Sequence, residues 1–197
     1  MATAPDRATP HLSFPPEVLL KAEGTGAGIR AAIFDVDGVL TDGSIFITAD
    51  GETLKAFHVQ DGQGLMMLGR GGIVPIVITG RDSPAVRRRI ADLGLPHASF
   101  GVSDKLACAA EWLATLGVGW DELAVIGDDW PDLPLFARAG FACAPADAHA
   151  EALGAAHHVT RRAGGRGAAR EFCDLLLMAN GRYAQLLAKV RVTLDAK

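Results

Sequence analysis

Two carboxylates lie one residue apart at the end of a short apolar run, in the segment IFDVDGVLTDG at residues 33–43. Successive side chains of a β-strand point to opposite faces, so Asp35 and Asp37 are expected on the same side of the chain. Two anions held that close repel each other unless a positive charge offsets them. A bound metal cation is the simplest candidate for that charge.

Polar side chains also follow two later apolar segments, and another opens a predicted helix. Thr79 and Arg81 follow GIVPIVI, Asp128 and Asp129 follow ELAVIG, and Lys105 begins the segment KLACAAEWLATL. In a parallel sheet the carboxyl ends of the strands lie at one edge, where such folds bind their ligands. Carboxylates, a hydroxyl and a lysine at that edge predict phosphoryl transfer assisted by Mg²⁺, a cation that prefers oxygen ligands.

Phosphoryl transfer would give each of these residues a role. Asp35 could attack phosphorus and form an aspartyl-phosphate, and Asp37 could protonate the leaving oxygen and later activate water. Thr79 would hold a phosphoryl oxygen, and Lys105 would balance negative charge on the phosphoryl group and on the nucleophile. Asp128 would complete the metal site. Two further acidic residues would orient the metal waters or the lysine, namely Asp129 and Asp132.

The elements that must position these residues are short apolar segments alternating with segments of helical spacing. Repeated strand–helix units predict an α/β fold, with a doubly wound parallel sheet and helices on both faces. Residues 44–59 depart from this order, because two alternating runs around Asp50-Gly51 predict a β-hairpin. Pro16 and Gly24, near the ends of the segment PPEVLLKAEG, predict a short N-terminal helix.

Composition limits the class of protein. The chain has 197 residues, of which 49% are hydrophobic and 21% charged, and a formal net charge of −4. These values predict one globular domain and argue against a nucleic-acid-binding surface, which would be basic. No apolar run approaches the roughly 18 residues that a membrane-spanning helix needs. Three widely separated cysteines predict reduced thiols in a cytoplasmic protein.

Four motifs, DVDGVLTDG, ITGR, Lys105 and GDDWPDLPLFARAG, occur in that order and resemble those of the haloacid dehalogenase (HAD) phosphatase superfamily. The resemblance implies a HAD-type, Rossmann-like sheet, with Asp35 as the nucleophile and Asp37 as the general acid and base. It also implies a Mg²⁺ ion bound by Asp35, by the backbone carbonyl of Asp37 and by Asp128.

A longer resemblance runs from about Ile29 to Gly181 and narrows the family. GETLKAFHVQDGQG, DAHAEA and HHVTRRAGGRGAAREFCDLLL look like segments of 3-deoxy-D-manno-octulosonate (KDO) 8-phosphate phosphatases, a HAD branch without a cap domain. The resemblance implies hydrolysis of KDO 8-phosphate for lipopolysaccharide assembly, by a homotetramer whose subunits share active sites. It also implies a leader and short helix at 1–28, a catalytic domain at 29–181 with a hairpin at 43–59 in place of the cap, and a tail at 182–197.

The same resemblance implies a set of substrate contacts. They are Asp37, His58, Val59, Gln60, Asp61, Gly62, Gly80, Arg81, Arg89 and Lys105. His58 replaces a usual asparagine, while Gln60 and Met66 replace arginines that could pair with the substrate carboxylate. A phosphatase for a related nine-carbon sugar acid phosphate is therefore an alternative, with Arg70 or Arg166 as replacement cations.

Two further questions stay open in the sequence. A catalytically silent HAD subunit that serves as a scaffold is a rival interpretation. The intact catalytic set argues against it, namely Asp35, Asp37, Thr79, Lys105 and Asp128. The chain also has a run of basic residues, which are Arg161, Arg162, Arg166 and Arg170. This run is either the solvated start of a helix or a surface near the active site of its own or a neighbouring subunit.

Overall fold

A parallel sheet and a separate two-stranded hairpin make up the strands of the described chain. The computed structural model describes residues 13–195 except 25, 27 and 50. The strands are β1 (Ala31–Phe34), β2 (Phe46–Thr48), β3 (Gly51–Leu54), β4 (Val74–Ile78), β5 (Ala98–Ser99), β6 (Leu123–Ile126), β7 (Phe141–Ala144) and β8 (His158–Val159). The helices are α1 (Pro16–Glu23), α2 (Val59–Arg70), α3 (Pro84–Asp92), α4 (Lys105–Leu116), α5 (Leu133–Phe136), α6 (Ala150–Ala155), α7 (Ala168–Ala179) and α8 (Tyr183–Asp195).

The predicted helices begin and end where the sequence supplies suitable residues. α1 starts with Pro16, whose missing N–H has no partner to lose in the first turn of a helix. α4 starts at Lys105 because the Asp104 side chain accepts a hydrogen bond from the Ala107 N–H, at 3.0 Å. It ends at Gly117, which adopts the left-handed conformation with φ 62°. These caps fix the position of Lys105 in the fold.

The chain winds outward in two directions from the central strand β1. The sheet order is β5-β4-β1-β6-β7-β8, and every neighbouring pair is parallel. Phe34, the last residue of β1, pairs with Val77 of β4 on one side and with Ile126 of β6 on the other. Where the winding direction reverses, a crevice forms beyond the carboxyl ends of the strands. The predicted doubly wound sheet is confirmed.

Helices cover both faces of this sheet, so its central strands carry almost only apolar side chains. Ile33 packs into one core with Leu113 of α4 and Leu135 of α5. Its neighbour Phe34 points into the opposite core, where its ring centroid lies 5.4 Å from that of Phe172 in α7. Two apolar layers therefore hold the end of β1 in place.

The hairpin stands apart from the sheet. β2 pairs antiparallel with β3, as predicted, with an irregular register between Phe46 and Ile47. The large apolar side chains of the hairpin are exposed, with Phe46 51%, Ile47 72% and Leu54 55% accessible. Asp50, half of the predicted turn, lies outside the described residues.

Helices also lie near both ends of the described chain. α1 packs against α7, and α8 occupies most of the predicted tail, where the sequence interpretation identified no helix. Tyr183 and Leu186 of α8 pack against the core beside α7. Residues 1–12 of the leader and 196–197 of the tail lie outside the described residues. Among the helices that are described, none is long and apolar enough to cross a membrane.

Candidate active site

The carboxyl ends of β1 and β6 bring three acidic residues together. Asp35 directly follows β1, and its N–H donates to the Ile126 carbonyl of β6 at 3.1 Å. Asp128 follows the end of β6, and Asp132 lies in a short turn after it. One carboxylate oxygen from each of the three lies within 4.8 Å of the others. The end of β1 therefore carries concentrated negative charge.

Lys105 supplies a buried positive charge to this cluster. Its Nζ lies 2.9 Å from Asp35 Oδ1 and 2.7 Å from Asp132 Oδ1. Burial lowers the pKa of Lys105, but the two carboxylates outweigh that effect and raise the pKa above its ordinary value. Lys105 therefore stays charged beside Asp35.

The oxygens of Asp132 are engaged by donors within the chain. Oδ1 accepts from Lys105, and Oδ2 accepts from the N–H groups of Asp128, at 3.1 Å, and Asp129, at 3.4 Å. The Asp129 side chain is exposed and accepts from the N–H of the following residue. Asp132 thus shapes the turn and holds Lys105, which leaves Asp35 and Asp128 as the carboxylates suited to bind a ligand.

Burial makes these two carboxylates hold their protons unusually firmly. Burial, then repulsion from Asp132, raises the pKa of Asp35 to about 6, against the opposing effect of Lys105. Burial, then repulsion from Asp35 and Asp132, raises the pKa of Asp128 to about 8. Asp128 Oδ1 is also buried without a hydrogen-bond partner among the described residues. A divalent cation bound by Asp35 and Asp128 would offset both effects, so the donors present fit Mg²⁺.

The loop after β1 approaches these carboxylates closely. Gly38 has φ 91°, and a Cβ at this position would collide with the Asp128 carboxylate. Glycine is required there both by the left-handed conformation and by the lack of space. The backbone next to Asp37 therefore lies against Asp128, on the side of the cluster where a metal ligand is expected.

Asp37 has a cation at each of its carboxylate oxygens. Lys55 Nζ forms an ion pair with Oδ1, and Arg81 Nε lies 3.9 Å from Oδ2. The Lys55 side chain is fully buried, although the residue directly follows β3 of the hairpin. Sequence reasoning missed Lys55, because lysines in hairpins are ordinarily solvated. The local sequence offers no signal of its burial, since the adjacent Leu54 is itself exposed.

The turn after β4 places residues 79–81 at the same edge of the sheet, because β4 is parallel to β1. Thr79 is buried, and its N–H donates to the Ser99 carbonyl of β5 at 3.1 Å. Its Oγ1 accepts from the Arg81 N–H at 3.3 Å. Gly80 and Arg81 are exposed. The turn is thus anchored by Thr79, with these two residues exposed beyond the carboxyl end of β4.

The residues that begin α2 have different environments. Val59 and Gln60 are exposed. Asp61 is buried, and its oxygens accept from the N–H groups of Gly167, at 3.2 Å, and Arg170, at 2.7 Å. Burial raises the pKa of Asp61 despite these bonds. Asp61 therefore ties α2 to the start of α7.

Three other predicted substrate contacts meet beside α2. A Cβ at Gly62 would collide with the guanidinium of Arg89, whose carbon lies 5.8 Å from the centroid of the Phe57 ring. His58 and Arg89 line one narrow cavity. His58 Nδ1 is buried there and has no hydrogen-bond partner among the described residues.

Met66 and Arg70 lie toward the other end of α2. Both line a cavity of about 540 Å³ together with Ile73 and Val74, at the start of β4. Thr79 follows the end of that strand, so this cavity and the acidic cluster lie at opposite ends of the sheet. The expectation that Arg70 could supply a cation to its own active site is therefore wrong.

The glycine-rich segment before α7 packs against the loop after β1. The Gly165 N–H donates to the Val39 carbonyl at 2.9 Å. Arg166 is exposed, and its Nη2 lies 3.3 Å from Asp42 Oδ2. Within the basic run, Arg166 therefore lies beside the active-site loop of its own chain, whereas Arg170 pairs with Asp174 in α7.

Comparisons with known proteins give the same class of hydrolase as the fold and the acidic cluster. Residues 98–172 match the haloacid dehalogenase-like hydrolase family. The chain is 47% identical over 156 residues to the KDO 8-phosphate phosphatase of Yersinia pestis, covering 79% of this chain and 83% of that protein. It is 45% identical to the Escherichia coli K12 phosphatase of the same name, covering 84% and 86%.

A solved structure agrees. The Moraxella catarrhalis KDO 8-phosphate phosphatase, in complex with magnesium, phosphate and KDO, superimposes with a TM-score of 0.82 at 38% identity, covering 88% of this chain and 98% of that one. The chain belongs to the KDO 8-phosphate phosphatase family of HAD-like hydrolases. The resemblance and the phosphatase class predicted from the sequence are confirmed.

Proposed function

We propose that this protein is a Mg²⁺-dependent phosphomonoesterase that hydrolyses KDO 8-phosphate to KDO and phosphate. The observation that carries the proposal is the cluster of Asp35, Asp128 and Asp132 around Lys105 at the switch point of the sheet. The substrate follows from similarity, since the relatives named above are KDO 8-phosphate phosphatases. The intact cluster also argues against a catalytically silent scaffold.

Mg²⁺ would be held by the carboxylates of Asp35 and Asp128 and by the backbone carbonyl of Asp37. When bound, the ion neutralises charge on the phosphoryl group that would otherwise repel an anionic nucleophile. Lys105 fixes one oxygen of Asp35 at 2.9 Å, which orients the carboxylate for attack. Asp132 holds Lys105 in turn, at 2.7 Å.

The reaction proceeds in two steps on residues of this chain. Asp35 attacks phosphorus and forms an aspartyl-phosphate, while Asp37 gives a proton to the leaving sugar oxygen. Asp37 then takes a proton from the water that hydrolyses this intermediate. Thr79 and the backbone of Gly80 stabilise the phosphoryl oxygens, because this turn lies at the same edge of the sheet as Asp35.

The sugar portion is recognised by residues at the start of α2 and by arginines around it. His58, Val59 and Gln60 lie at the N-terminal end of α2, and Arg81 and Arg89 supply positive charge near them. Position 60 carries glutamine, which favours a second candidate substrate class, a related nine-carbon sugar acid phosphate. Gln60 lines a cavity of about 200 Å³ in which Arg162 and Arg170 are accompanied by Glu171 and Asp174, so its surroundings add little net positive charge.

We also propose a quaternary structure, a cellular location and a biosynthetic role for the protein. The hairpin at 43–59 takes the place of a cap on the domain at 29–181, and its exposed apolar side chains favour packing against hairpins of other subunits in a homotetramer with shared active sites. Three free cysteines suit the cytoplasm, where thiols stay reduced. Lipopolysaccharide assembly is the process that needs free KDO.

The test is phosphate release by the purified protein from a panel of sugar phosphates. The panel contains KDO 8-phosphate, a nine-carbon sugar acid 9-phosphate and glucose 6-phosphate, each with Mg²⁺, with EDTA, and with Mg²⁺ restored. We expect the highest kcat/KM for KDO 8-phosphate and no turnover in EDTA, with Asp35→Asn as the control for contaminating phosphatases. A preference for the nine-carbon substrate would replace the first candidate by the second. No Mg²⁺-dependent turnover of any member would refute both.

A further inference from the structure

We propose that Lys55 is a positioning residue for the acid/base Asp37, and that it links the hairpin to the reaction. The inference rests on the proposed function, because it concerns the residue to which that function assigns proton transfer. Its basis is the ion pair between Lys55 Nζ and Asp37 Oδ1, which joins the end of β3 to the loop after β1.

The environment of this ion pair sets Lys55 apart from the other cation near Asp37. The Lys55 side chain has no solvent exposure, and the Asp37 side chain is 20% exposed. Arg81 is farther from the carboxylate, with its Nε 3.9 Å from Oδ2, and is 47% exposed. A charge pair removed from water is screened less and keeps a more fixed geometry than an exposed one. Lys55 therefore determines which way the Asp37 carboxylate faces.

The two aspartates of the loop are held by analogous pairs from different parts of the chain. Asp35 is held by Lys105, which begins α4 in the sheet domain and is itself held by Asp132. Asp37 is held by Lys55, whose backbone belongs to the end of the exposed hairpin. The nucleophile is thus positioned by the sheet domain, whereas the acid/base is positioned by the hairpin.

Because the hairpin positions Asp37 but not Asp35, a displacement of the hairpin should affect proton transfer selectively. A general acid must come within hydrogen-bond distance of the leaving oxygen, and a small displacement of such a group lowers the rate severely. Any change that moves the end of β3 would move Lys55 and misplace Asp37, while Asp35 would keep its geometry. The loss would fall on substrates whose leaving group needs a proton.

The experiment compares Lys55→Met with the wild type on two substrates in the presence of Mg²⁺. For KDO 8-phosphate we expect kcat to fall about 10- to 100-fold, the range for a lost orienting partner, with KM changed less than kcat. For p-nitrophenyl phosphate, whose leaving group needs little protonation, the single-turnover phosphorylation rate should change several-fold less. Lys55→Arg, which keeps the charge, should recover part of the loss on the sugar phosphate.

Lys21→Met, at an exposed lysine of α1, is the matched control and should leave both rates unchanged. Circular dichroism checks that each variant folds. If Lys55→Met does not fold, Lys55→Gln, which keeps a hydrogen-bond donor, is measured by the same criteria. Equal losses on both substrates, or an unchanged kcat on KDO 8-phosphate, would overturn the positioning role. Failure of the proposed function is distinguishable, because the wild type itself would then not hydrolyse KDO 8-phosphate.

Discussion

Two regions of the molecule differ in how completely contacts within one chain bury their side chains. One is the carboxyl edge of the sheet beyond β1, and the other is the hairpin. At the edge, Lys105 is buried between Asp35 and Asp132, and each contact comes from the same folded domain. In the hairpin, Phe46 and Ile47 expose half or more of their surface, and the two strands pair only with each other in the described structure. The difference supports the proposal that the hairpin packs against a neighbouring subunit, whereas the acidic cluster is formed within one chain.

Physical chemistry gives the reason for this division. A two-stranded hairpin alone is marginally stable in water, and exposed apolar side chains on it gain stability by packing against another surface. The acidic cluster is held by Lys105 of the same chain, and the proposed Mg²⁺ would offset the remaining negative charge. Variants at the edge and in the hairpin should therefore fail in different ways.

The largest effect is expected at the edge. Asp35→Asn preserves the size of the side chain but removes the nucleophile and a metal ligand, so kcat should fall about 10⁴-fold or more, as for other lost nucleophiles. The variant should still fold and assemble, because the residue packs as before. Steady-state kinetics and sedimentation measure the two outcomes, and near-native turnover would rule out the covalent route.

Asp37→Asn should give the next largest loss, and a selective one. Its backbone carbonyl remains, but its side chain can neither protonate the leaving oxygen nor activate water, a contribution of about 10²- to 10⁴-fold. In single-turnover measurements the phosphorylation step should suffer less with p-nitrophenyl phosphate than with KDO 8-phosphate. Equal losses in that step would argue that Asp37 does not act as the acid.

Substitutions in the hairpin should lower activity by preventing assembly of the tetramer. Phe46→Asp combined with Ile47→Lys should give species smaller than a tetramer that still bind Mg²⁺, with turnover of KDO 8-phosphate reduced about tenfold or more because the site is incompletely covered. Leu20→Asp is the matched control, since Leu20 is 70% exposed on α1 and lies outside the hairpin. A fully active wild-type monomer in sedimentation would contradict the comparison.

The affinity for Mg²⁺ should depend on pH through the carboxylates at the edge of the sheet, independently of the hairpin. Mg²⁺ must displace protons from Asp35, with a pKa raised to about 6, and from Asp128, with a pKa raised to about 8. Ionised carboxylates become more abundant as pH rises from 6 to 8, so affinity should rise by about a hundredfold over that range and binding should release protons. Calorimetry in two buffers of different ionisation enthalpy measures both, and a pH-independent affinity would contradict the assignment.

The smallest effect is expected from restoring a cation at the start of α2. If KDO 8-phosphate is the substrate, Gln60→Arg should lower KM by about threefold to tenfold, through a partly exposed charge-assisted contact. Leu20→Arg is the control and should leave KM unchanged, because Leu20 is exposed on α1 and has no part in the proposed site. A KM for KDO 8-phosphate that is unchanged or higher in Gln60→Arg would favour the nine-carbon substrate.

The sequence predicts the edge of the sheet and the existence of the hairpin, but not the contact that joins the hairpin to the active site. The doubly wound parallel sheet and the positions of Asp35, Thr79 and Asp128 after its strands follow from apolar runs that alternate with helical segments, because parallel strands place their carboxyl ends together. Lys105 was predicted as the first residue of a helix, where the structure has it. Lys55 could not be predicted, since its burial depends on a contact with Asp37 across 18 positions of the chain. α8 was missed as well, although it extends over Tyr183–Asp195.

The central claim is that Asp35, held by residues of its own chain, becomes phosphorylated. The most direct measurement is acid quenching of Asp37→Asn protein mixed with p-nitrophenyl phosphate and Mg²⁺, followed by peptide mass spectrometry. Because this variant accepts the phosphoryl group but cannot activate water, we expect one nitrophenolate released per subunit and a peptide containing Asp35 that is heavier by one phosphoryl group. A burst of nitrophenolate with the Asp35 peptide unmodified, or with the phosphoryl group on another residue, would contradict the account.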